Sequence, residues 1–389
     1  MKLAVVDAKN YQQNEIESSL NSLIDQLGGL EKYVPQGSKV FIKANLIRAL
    51  PPEKCGTTHP ELIRALANRL IRDCSATVTI GDSSGGAYTK ASMNKVYSVC
   101  GMQEVVAQTK ATLNQDFSYG FCQIGGKSLA NCNITNSFLS SDVVINFGKL
   151  KTHSFTGYTG CVKNLFGLVP GLEKVEVHSK FPNLEDFVDA IIDLERFASS
   201  KIVLHFLDAV IGMEGQGPTN GRPKFIGKII ASDNAYLADI AGISMFEEPL
   251  NMPIIYKAIE RKIIDREYKN LTDFDFSLLK KDFINDYDTV KVVRENFANL
   301  PRWIQKILKN NLCPRVKPNV NICVGCGKCI EHCPAKALSF NKKHKAQINQ
   351  KKCIRCYCCQ ELCPKDAIKL KKPLLYRVVR MVAFSNGKK

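Results

Sequence analysis

The chain has 389 residues, of which 45% are apolar and 23% charged, a composition that excludes wholesale disorder and favours a globular protein of two or more domains. No apolar run approaches the ~18 residues of a membrane span, and the run before Asp7 is too short for a signal peptide, so we expect a cytoplasmic protein without an integral membrane segment. Thiols stay reduced in the cytoplasm, so the 16 cysteines indicate metal or redox chemistry rather than disulfides.

The net charge of +17 is concentrated at one end of the chain. Residues 313–389 hold 18 basic against three acidic residues, a balance of +15, whereas residues 1–312 hold 36 basic against 34 acidic residues. A break this sharp marks a domain boundary. We predict an α/β domain over residues 1–285, a helical linker over 286–315, a ferredoxin-type domain over 316–373 and a basic tail over 374–389.

The long N-terminal part alternates predicted strands and helices. The predicted strands are the N-terminal segment and residues 40–46, 77–82, 142–149, 201–212 and 225–233. The predicted helices are residues 60–73, 183–199 and 234–246. This alternation predicts an α/β fold with a mainly parallel sheet and helices on both faces, followed by a small α+β domain that carries the cysteines. Ligands of such sheets usually bind beyond the C-terminal ends of the strands.

The first candidate ligand loop is GDSSGG, residues 81–86, at the end of a predicted strand. Glycines free backbone N–H groups to face an anion, and serines add donors. We therefore predict that Ser83, Ser84, Gly85 and Gly86 bind a cofactor. The loop matches neither common glycine-rich phosphate motif, and a plain tight turn is the alternative.

The second candidate loop is GKLKTHSFTGYTGCVKNLFGLVPG, residues 148–171, which holds five glycines. We predict catalytic roles for Lys151, His153 and Lys163, and cofactor binding by Lys149 and Asn164. Strand alternation would place Lys149, Lys151 and His153 on one side of the chain. Ammonium groups beside an imidazole favour an anionic small molecule, such as a carboxylate or phosphate, and could supply a proton. A solvated basic loop is the alternative.

Two further segments have equally good structural explanations. Asp208 and Glu214 flank a Gly/Pro-rich turn within residues 208–223, where they could supply acid–base groups or simply close the loop. Residues 299–312 predict a basic amphipathic helix, more consistent with a docking linker than with a membrane anchor.

Two copies of C-x2-C-x2-C-x3-C-P, offset by 30 residues, are the strongest motif in the chain. In this ferredoxin pattern three cysteines of one copy and the fourth of the other hold each cluster. We predict two [4Fe–4S] clusters, one bound by Cys323, Cys326, Cys329 and Cys363, the other by Cys333, Cys353, Cys356 and Cys359. A zinc ribbon is the minor alternative.

The segment CIRCYCCQELCP, residues 353–364, holds five cysteines where four fit the motif. Cys358 aligns with Lys328 of the first copy, so it is the surplus thiol and is predicted to bind no iron. Cys313 has no partner at a matching spacing and is also predicted to be a non-ligand.

Several of these segments together resemble a known family. Lys43-Ala44-Asn45, TTHP, GDSSGG, GKLKTHSFTGYTGCVKNLFG and SDNAYLADIAG are similar to motifs of the domain-of-unknown-function family numbered 362. The resemblance covers residues 1 to about 250 and the cysteine module, because members often carry a two-cluster ferredoxin module. The family tends to have proline where this chain has Ala44. The resemblance implies the architecture and the cluster content, and no particular reaction.

Three functional hypotheses follow. The chain is an iron–sulfur oxidoreductase that passes electrons to a substrate or cofactor on the α/β domain, a ferredoxin-like carrier without substrate chemistry, or a ligand or redox sensor. We recognise no sequence motif for a further cofactor. The basic module predicts an acidic electron-transfer partner such as a flavodoxin or ferredoxin. Nucleic acid is disfavoured because only Tyr357 and Phe340 lie among the lysine-rich segments.

Overall fold

The computed structural model describes residues 1–290, 301, 313–371 and 373. Apart from residue 301, the predicted linker helix over 299–312 lies outside these residues, as does the basic tail over 374–389. The domain boundaries proposed above stay predictions. Among the described residues, every helix is too short or too polar to span a bilayer.

The strands of the α/β part are β1 (Leu3–Asp7), β2 (Lys39–Lys43), β3 (Thr77–Gly81), β4 (Thr112–Leu113), β5 (Tyr119–Gln123), β6 (Asn131–Thr135), β7 (Val143–His153), β8 (Gly157–Thr159), β9 (Ile202–Gln216) and β10 (Asn220–Ser232). Its helices are α1 (Gln13–Leu27), α2 (Pro60–Cys74), α3 (Lys90–Val99), α4 (Met102–Ala107), α5 (Asn136–Leu139), α6 (Cys161–Asn164), α7 (Glu173–Lys180), α8 (Leu184–Ala198), α9 (Ala235–Ser244), α10 (Pro253–Glu260) and α11 (Ser277–Lys281).

Eight of these strands form one sheet in the order β1-β10-β9-β7-β2-β3-β4, with β8 paired to β7. The pairs from β9 to β4 are parallel, whereas β1, β10 and β8 run antiparallel to their neighbours. The prediction of a mainly parallel α/β sheet is therefore confirmed. The strand β7 continues to His153, four residues beyond its predicted end, because its last residues pair with β8.

Helices cover both faces of the sheet, as predicted. Val40 and Ile42 of β2 belong to the core that includes α1 and α2, whereas Phe41 belongs to the core that includes α8 and α9. Successive side chains of a strand point to opposite faces, so a strand buried on both faces is apolar throughout. The parallel strands therefore end together at one edge of a sheet covered on both sides.

The cysteine module is built of short elements. They are β11 (Arg315–Pro318), α12 (Lys328–Glu331), β12 (Leu338–Phe340), β13 (Ala346–Ile348), α13 (Cys358–Glu361) and β14 (Ile368–Lys371). Strands β11 and β14 pair, as do β12 and β13, both antiparallel. A small core that includes Val316, Tyr357 and Ile368 leaves much of the stabilisation of this module to its metal ligands.

Candidate functional site

A cavity lies beyond the C-terminal ends of β2, β3 and β7, between the α/β part and the cysteine module. Its volume is about 80 Å³, measured as space open to the centres of water molecules. At the ~30 Å³ that a water molecule occupies in the liquid, this is room for roughly two or three waters, or for one small ligand. The lining side chains that carry polar groups are Asn45, Asp82, Ser83, Lys151, His153, Thr159, Lys163, Asn164, Lys174, His178, Cys358 and Glu361.

A buried ion pair supports the floor of this cavity. The Lys43 ammonium lies 2.7 Å from Asp82 Oδ1, and the two side chains are 1% and 4% exposed. Asp82 also accepts hydrogen bonds from the backbone N–H groups of Leu46 and Ser83. A Cβ on Gly167 would lie 2.3 Å from Asp82 Oδ1 and 2.6 Å from Lys43 Nζ, so only glycine fits against the pair.

An amide network connects the floor to Lys151. Asn164 Oδ1 accepts from Lys43 Nζ at 3.0 Å and from Asn45 Nδ2 at 2.8 Å. Asn45 Oδ1 in turn accepts from Lys151 Nζ at 2.8 Å, and the Gly56 carbonyl accepts from the same ammonium at 2.6 Å. Burial, reinforced by the nearby Lys163 charge, lowers the pKa of Lys151 to about 7. Its ammonium is thus held by neutral partners, and among the described residues no counterion is in direct contact with it.

His153 faces the cavity with one ring nitrogen already used. Its Nδ1 accepts from the backbone N–H groups of Phe155 and Thr156 at 3.1 and 3.2 Å, which places the proton of the neutral ring on Nε2. Nε2 lies 3.4 Å from Glu361 Oε1, and neither atom has a hydrogen-bond partner in the described part of the chain. Burial and the Lys163 charge lower the pKa of His153 to about 4, so the imidazole is neutral at pH 7.

Glu361 comes from the cysteine module and stays ionised. Burial by itself would raise its pKa, but His153, Lys163 and His178 together lower that pKa to about 2. A carboxylate therefore faces the imidazole across the cavity and leaves an acceptor available to a ligand.

Two lysines bring positive charge to the cavity. Burial lowers the pKa of Lys163, whose ammonium lies 5.6 Å from the centre of the Phe166 ring and has no hydrogen-bond or ion-pair partner among the described residues. Lys174 Nζ donates to Ser83 Oγ at 3.0 Å and to the carbonyl of Val169 at 2.5 Å, and burial lowers its pKa to about 7. Both side chains are half-buried, and ammonium groups shielded from water without carboxylate partners gain from an anion that joins them.

The helix α6, which carries Lys163, is fixed from behind by Asp239 of α9. Asp239 accepts from the backbone N–H groups of Cys161 and Val162 at 2.5 and 3.1 Å. Burial raises the pKa of this carboxyl to about 7. The cavity is therefore lined by side chains on anchored elements.

The sequence analysis named part of this set. Lys151, His153, Lys163, Asn164, Ser83 and Gly85 line the cavity, whereas Ser84 and Gly86 do not. Lys149 is held apart, with Nζ 2.8 Å from Asp208 Oδ2 and 2.9 Å from Tyr11 Oη. Cys161, the first residue of α6, is fully buried.

Three residues that line the cavity were not predicted from the sequence: Lys174, His178 and Glu361. His178 lies on α7 and stacks on Phe187 at 4.2 Å between ring centres, and its Nδ1 is buried with no hydrogen-bond partner among the described residues. Helix α7 directly follows the glycine-rich loop, so Lys174 and His178 could have been added as candidates. No feature of the sequence predicts that Glu361 lies close to β7.

The cysteines of each predicted ligand set lie near one another in the module. A cavity in the module is lined by Cys323, Cys326, Cys329 and Cys363. The pKa of Cys359, raised mainly by burial, is raised further by Cys356, Cys353 and Cys333 and by Cys329 of the other set. In the described residues, no group of three or more His, Cys, Asp or Glu side chains is placed to hold a single metal ion. Thiols around a cavity fit a cluster, and the assignment of each ligand stays a proposal.

Backbone N–H groups add to this fit, since those of Ala337, Ala346 and Ala367 point at the sulfurs of Cys333, Cys323 and Cys363 at 3.2, 3.4 and 3.2 Å. Hydrogen bonds to cluster sulfurs stabilise the charge of a reduced cluster.

Polar contacts fix the module over the cavity. Arg48 donates to the Cys363 carbonyl and pairs with Asp366 at 2.7 Å. Gln360 of α13 donates to the Gln216 carbonyl at 3.1 Å, and Ser154 lies 3.4 Å from Gln360 Oε1. Helix α13 thus forms the roof of the cavity.

Comparison with known proteins gives two family matches. The family described as domain of unknown function (DUF362) matches residues 40–244, more than half of the chain, and a 4Fe-4S dicluster domain matches residues 322–367. The latter supports at least one [4Fe–4S] cluster. The "Thylakoid-associated protein sll1697" of Synechocystis sp. is 25% identical over 327 residues, 83% of this chain and 98% of that protein. A "Probable ferredoxin" of Methanosarcina thermophila is 44% identical over 34 residues, 9% of this chain and 59% of that protein.

Two solved structures are more distant. The lactate racemase apoprotein from Thermoanaerobacterium thermosaccharolyticum has a TM-score of 0.38 at 14% identity, over 61% of this chain and 55% of that one. A protein from Thermotoga maritima has a TM-score of 0.33 at 11% identity, over 58% of this chain and 56% of that one. The chain spans little more than half the length of either structure, and similarity at this level supports no conclusion about fold or function.

Proposed function

Since the chain belongs to the DUF362 family and joins that domain to a 4Fe-4S dicluster domain, we propose that it is an iron–sulfur oxidoreductase. Its electrons reduce a small molecule, a substrate or a further cofactor, bound in the cavity beneath helix α13. The observation that carries the proposal is that one cavity is lined by Lys151, His153 and Lys163 of the α/β part and by Cys358 and Glu361 of the module. A plain electron carrier has no need for such a cavity.

Two [4Fe–4S] clusters, each held by four of the eight register cysteines, would supply electrons one at a time when bound. The surplus thiol Cys358 lies on the cavity side of α13, between the ligands Cys356 and Cys359 in sequence. The cavity is therefore adjacent to the second set of ligands, which keeps the distance for electron transfer short.

The side chains of the cavity select an anionic ligand. In the part of the chain that the structure describes, Lys163 brings an ammonium without a counterion in contact, and Lys151 and Lys174 add positive charge that only neutral groups hold. A carboxylate or phosphate in this position gains charge-assisted hydrogen bonds in a water-poor site. The neutral His153 ring directs its Nε2–H to the same space, where it can donate a hydrogen bond to the ligand, and the backbone N–H groups of Phe155 and Thr156 keep the ring oriented.

The electron donor would be an acidic protein such as a flavodoxin or a ferredoxin, in keeping with the basic balance of the module. The cytoplasmic location stays a prediction.

The test begins with anaerobically purified protein whose clusters are reduced chemically and then freed of excess reductant. Small carboxylates and phosphates, followed by fractions of a small-molecule cell extract, are added while the visible absorbance of the clusters is recorded. We expect one fraction to reoxidise the clusters, and the double variant His153→Ala/Lys163→Ala to lose this reaction with unchanged iron content. The exposed Lys95 of α3 provides the matched control, Lys95→Ala. Reoxidation by protein acceptors alone would instead identify a ferredoxin-like carrier.

A further inference from the structure

The two sets of cluster ligands differ in their surroundings. Cys326 of the first set is exposed, and the loop that carries it faces solvent. Cys356 of the second set is buried, and so is its neighbour Cys358, which lines the cavity. One end of the module is therefore open to other proteins, while the other end is covered by the α/β part.

An apolar patch surrounds the open end. Among the described residues of the module, all the exposed large hydrophobic side chains lie here: Val320, Ile322, Val324 and Phe340, at 47%, 41%, 55% and 37% exposure. Phe340 lines the same cavity as Cys326, and its ring stacks on His344 at 3.9 Å between centres. Exposed apolar side chains grouped around a functional centre are typical of a surface that binds another protein.

Lysines border this patch. Lys328 and Lys365 line the cavity of the first ligand set and are exposed, and Lys343 is exposed beside His344 in the turn between β12 and β13. Glu331 is the one acidic residue of the module outside the contacts with the α/β part among the described residues. A partner that fits this rim must therefore be acidic.

We infer that electrons enter the protein through this patch, defined by Val320, Ile322, Val324 and Phe340 with its lysine rim, from a reduced acidic ferredoxin or flavodoxin. In each encounter the donor would lose one electron, and the cluster held by the first ligand set, Cys323, Cys326, Cys329 and Cys363, would gain it. Two encounters would therefore supply a two-electron reduction. Electrons then leave through the second set of ligands, beside Cys358, toward the cavity. Only this last direction rests on the proposed function, since docking at the patch does not require a substrate.

The experiment measures the second-order rate at which a reduced acidic ferredoxin reduces the clusters of the full-length protein, by stopped flow under anaerobic conditions with no small molecule added. We expect Lys343→Glu and Lys328→Glu each to lower the rate about tenfold at low salt and to flatten its decline with salt. Lys343 lies outside both cysteine motifs, so this variant reports on docking even if Lys328→Glu loses iron. The control Lys95→Glu makes the same charge change on α3.

A wild-type rate in Lys343→Glu, or an equal fall in Lys95→Glu, would overturn the inference. So would a basic donor that reduces the clusters as fast as the acidic one, with no dependence on salt. Failure of the proposed function appears in a different measurement, because the clusters would then be reduced through the patch but never reoxidised by a small molecule.

Discussion

Removal of the negative charge at Asp82 should cost the protein a large part of its stability. The pair with Lys43 is buried almost completely, at 2.7 Å with 1% and 4% side-chain exposure, so solvent hardly screens it. Deletion of one partner of a buried pair typically costs about 3–5 kcal/mol, since the other charge stays behind without compensation. Asp82→Asn keeps the shape but replaces one of the two oxygens that accept from Leu46 and Ser83 by an NH2 donor, so it removes the charge together with one backbone hydrogen bond.

An upper bound follows from the protonation of Lys43. Its pKa already lies below the ordinary value of 10.5 because of burial, and Asp82 is the main group that raises it. If the lysine simply loses its proton in Asp82→Asn, neutralisation at pH 7 costs about 1.36 kcal/mol for each of 3.5 pH units, or about 5 kcal/mol. The expected loss for Asp82→Asn is therefore about 3–5 kcal/mol.

A double-mutant cycle with Lys43→Met separates the pair from other effects. Each single variant should lose several kcal/mol, whereas Lys43→Met/Asp82→Asn should lose less than the sum, with a coupling energy of at least about 2 kcal/mol. The assay is urea unfolding of the anaerobic full-length protein, followed by far-ultraviolet circular dichroism. The exposed pair Lys2–Asp273, at 3.8 Å, serves as the control and should show no measurable coupling. A loss below about 1 kcal/mol in Asp82→Asn would refute the reasoning, as would a coupling near zero.

Three further predictions follow from the same geometry. Cys333→Ser should lower the iron content of anaerobically purified protein and Cys358→Ser should not; the reverse result would overturn the ligand assignment. Because burial lowers the pKa of Lys151 and of Lys174 to about 7, both are protonated below that pH, and anion affinity should fall as the pH rises through about 7. Isothermal titration with inorganic phosphate and small carboxylates checks this, and an affinity independent of pH contradicts it. Gly167→Ala should destabilise the protein by about 1–3 kcal/mol in the urea assay, because its Cβ has no space beside the ion pair; unchanged stability would show that the floor can move.

The fold and the cluster ligands follow from local patterns. Residues 40–42 and 143–145, near the start of two predicted strands, are apolar without interruption, which predicts strands buried on both faces, and the structure contains both. The cysteine motif predicts its ligands by spacing alone, because a cluster accepts only a narrow set of loop lengths, and this assignment stays a prediction. Such patterns depend on residues that are close in sequence, so a single sequence is enough to recognise them.

The cavity depends on contacts between distant parts of the chain, and there prediction was incomplete. Glu361 meets His153 across 208 positions, which no periodicity records. Strand alternation grouped Lys149 with Lys151, but the pairing of β7 with β9 shifts register between these two residues, and Lys149 lies opposite Asp208. A bulge of this kind redirects the side chains that follow it. Its position is set by the partner strand, which the local sequence does not reveal.

Helix α13 has a consequence for how the protein matures. Cys359 within it and Cys356 and Cys363 on either side are proposed iron ligands, yet the same few residues close the pocket through Cys358 and Glu361. Before iron is inserted, the polar contacts of Gln360 and Arg48 are the main described bonds that hold this segment against the sheet. We therefore expect a newly made chain to lack a finished binding pocket as well as an electron supply. Ligand binding would then require that the metal centre is assembled first. A chain without its clusters would not bind a small molecule that it cannot reduce.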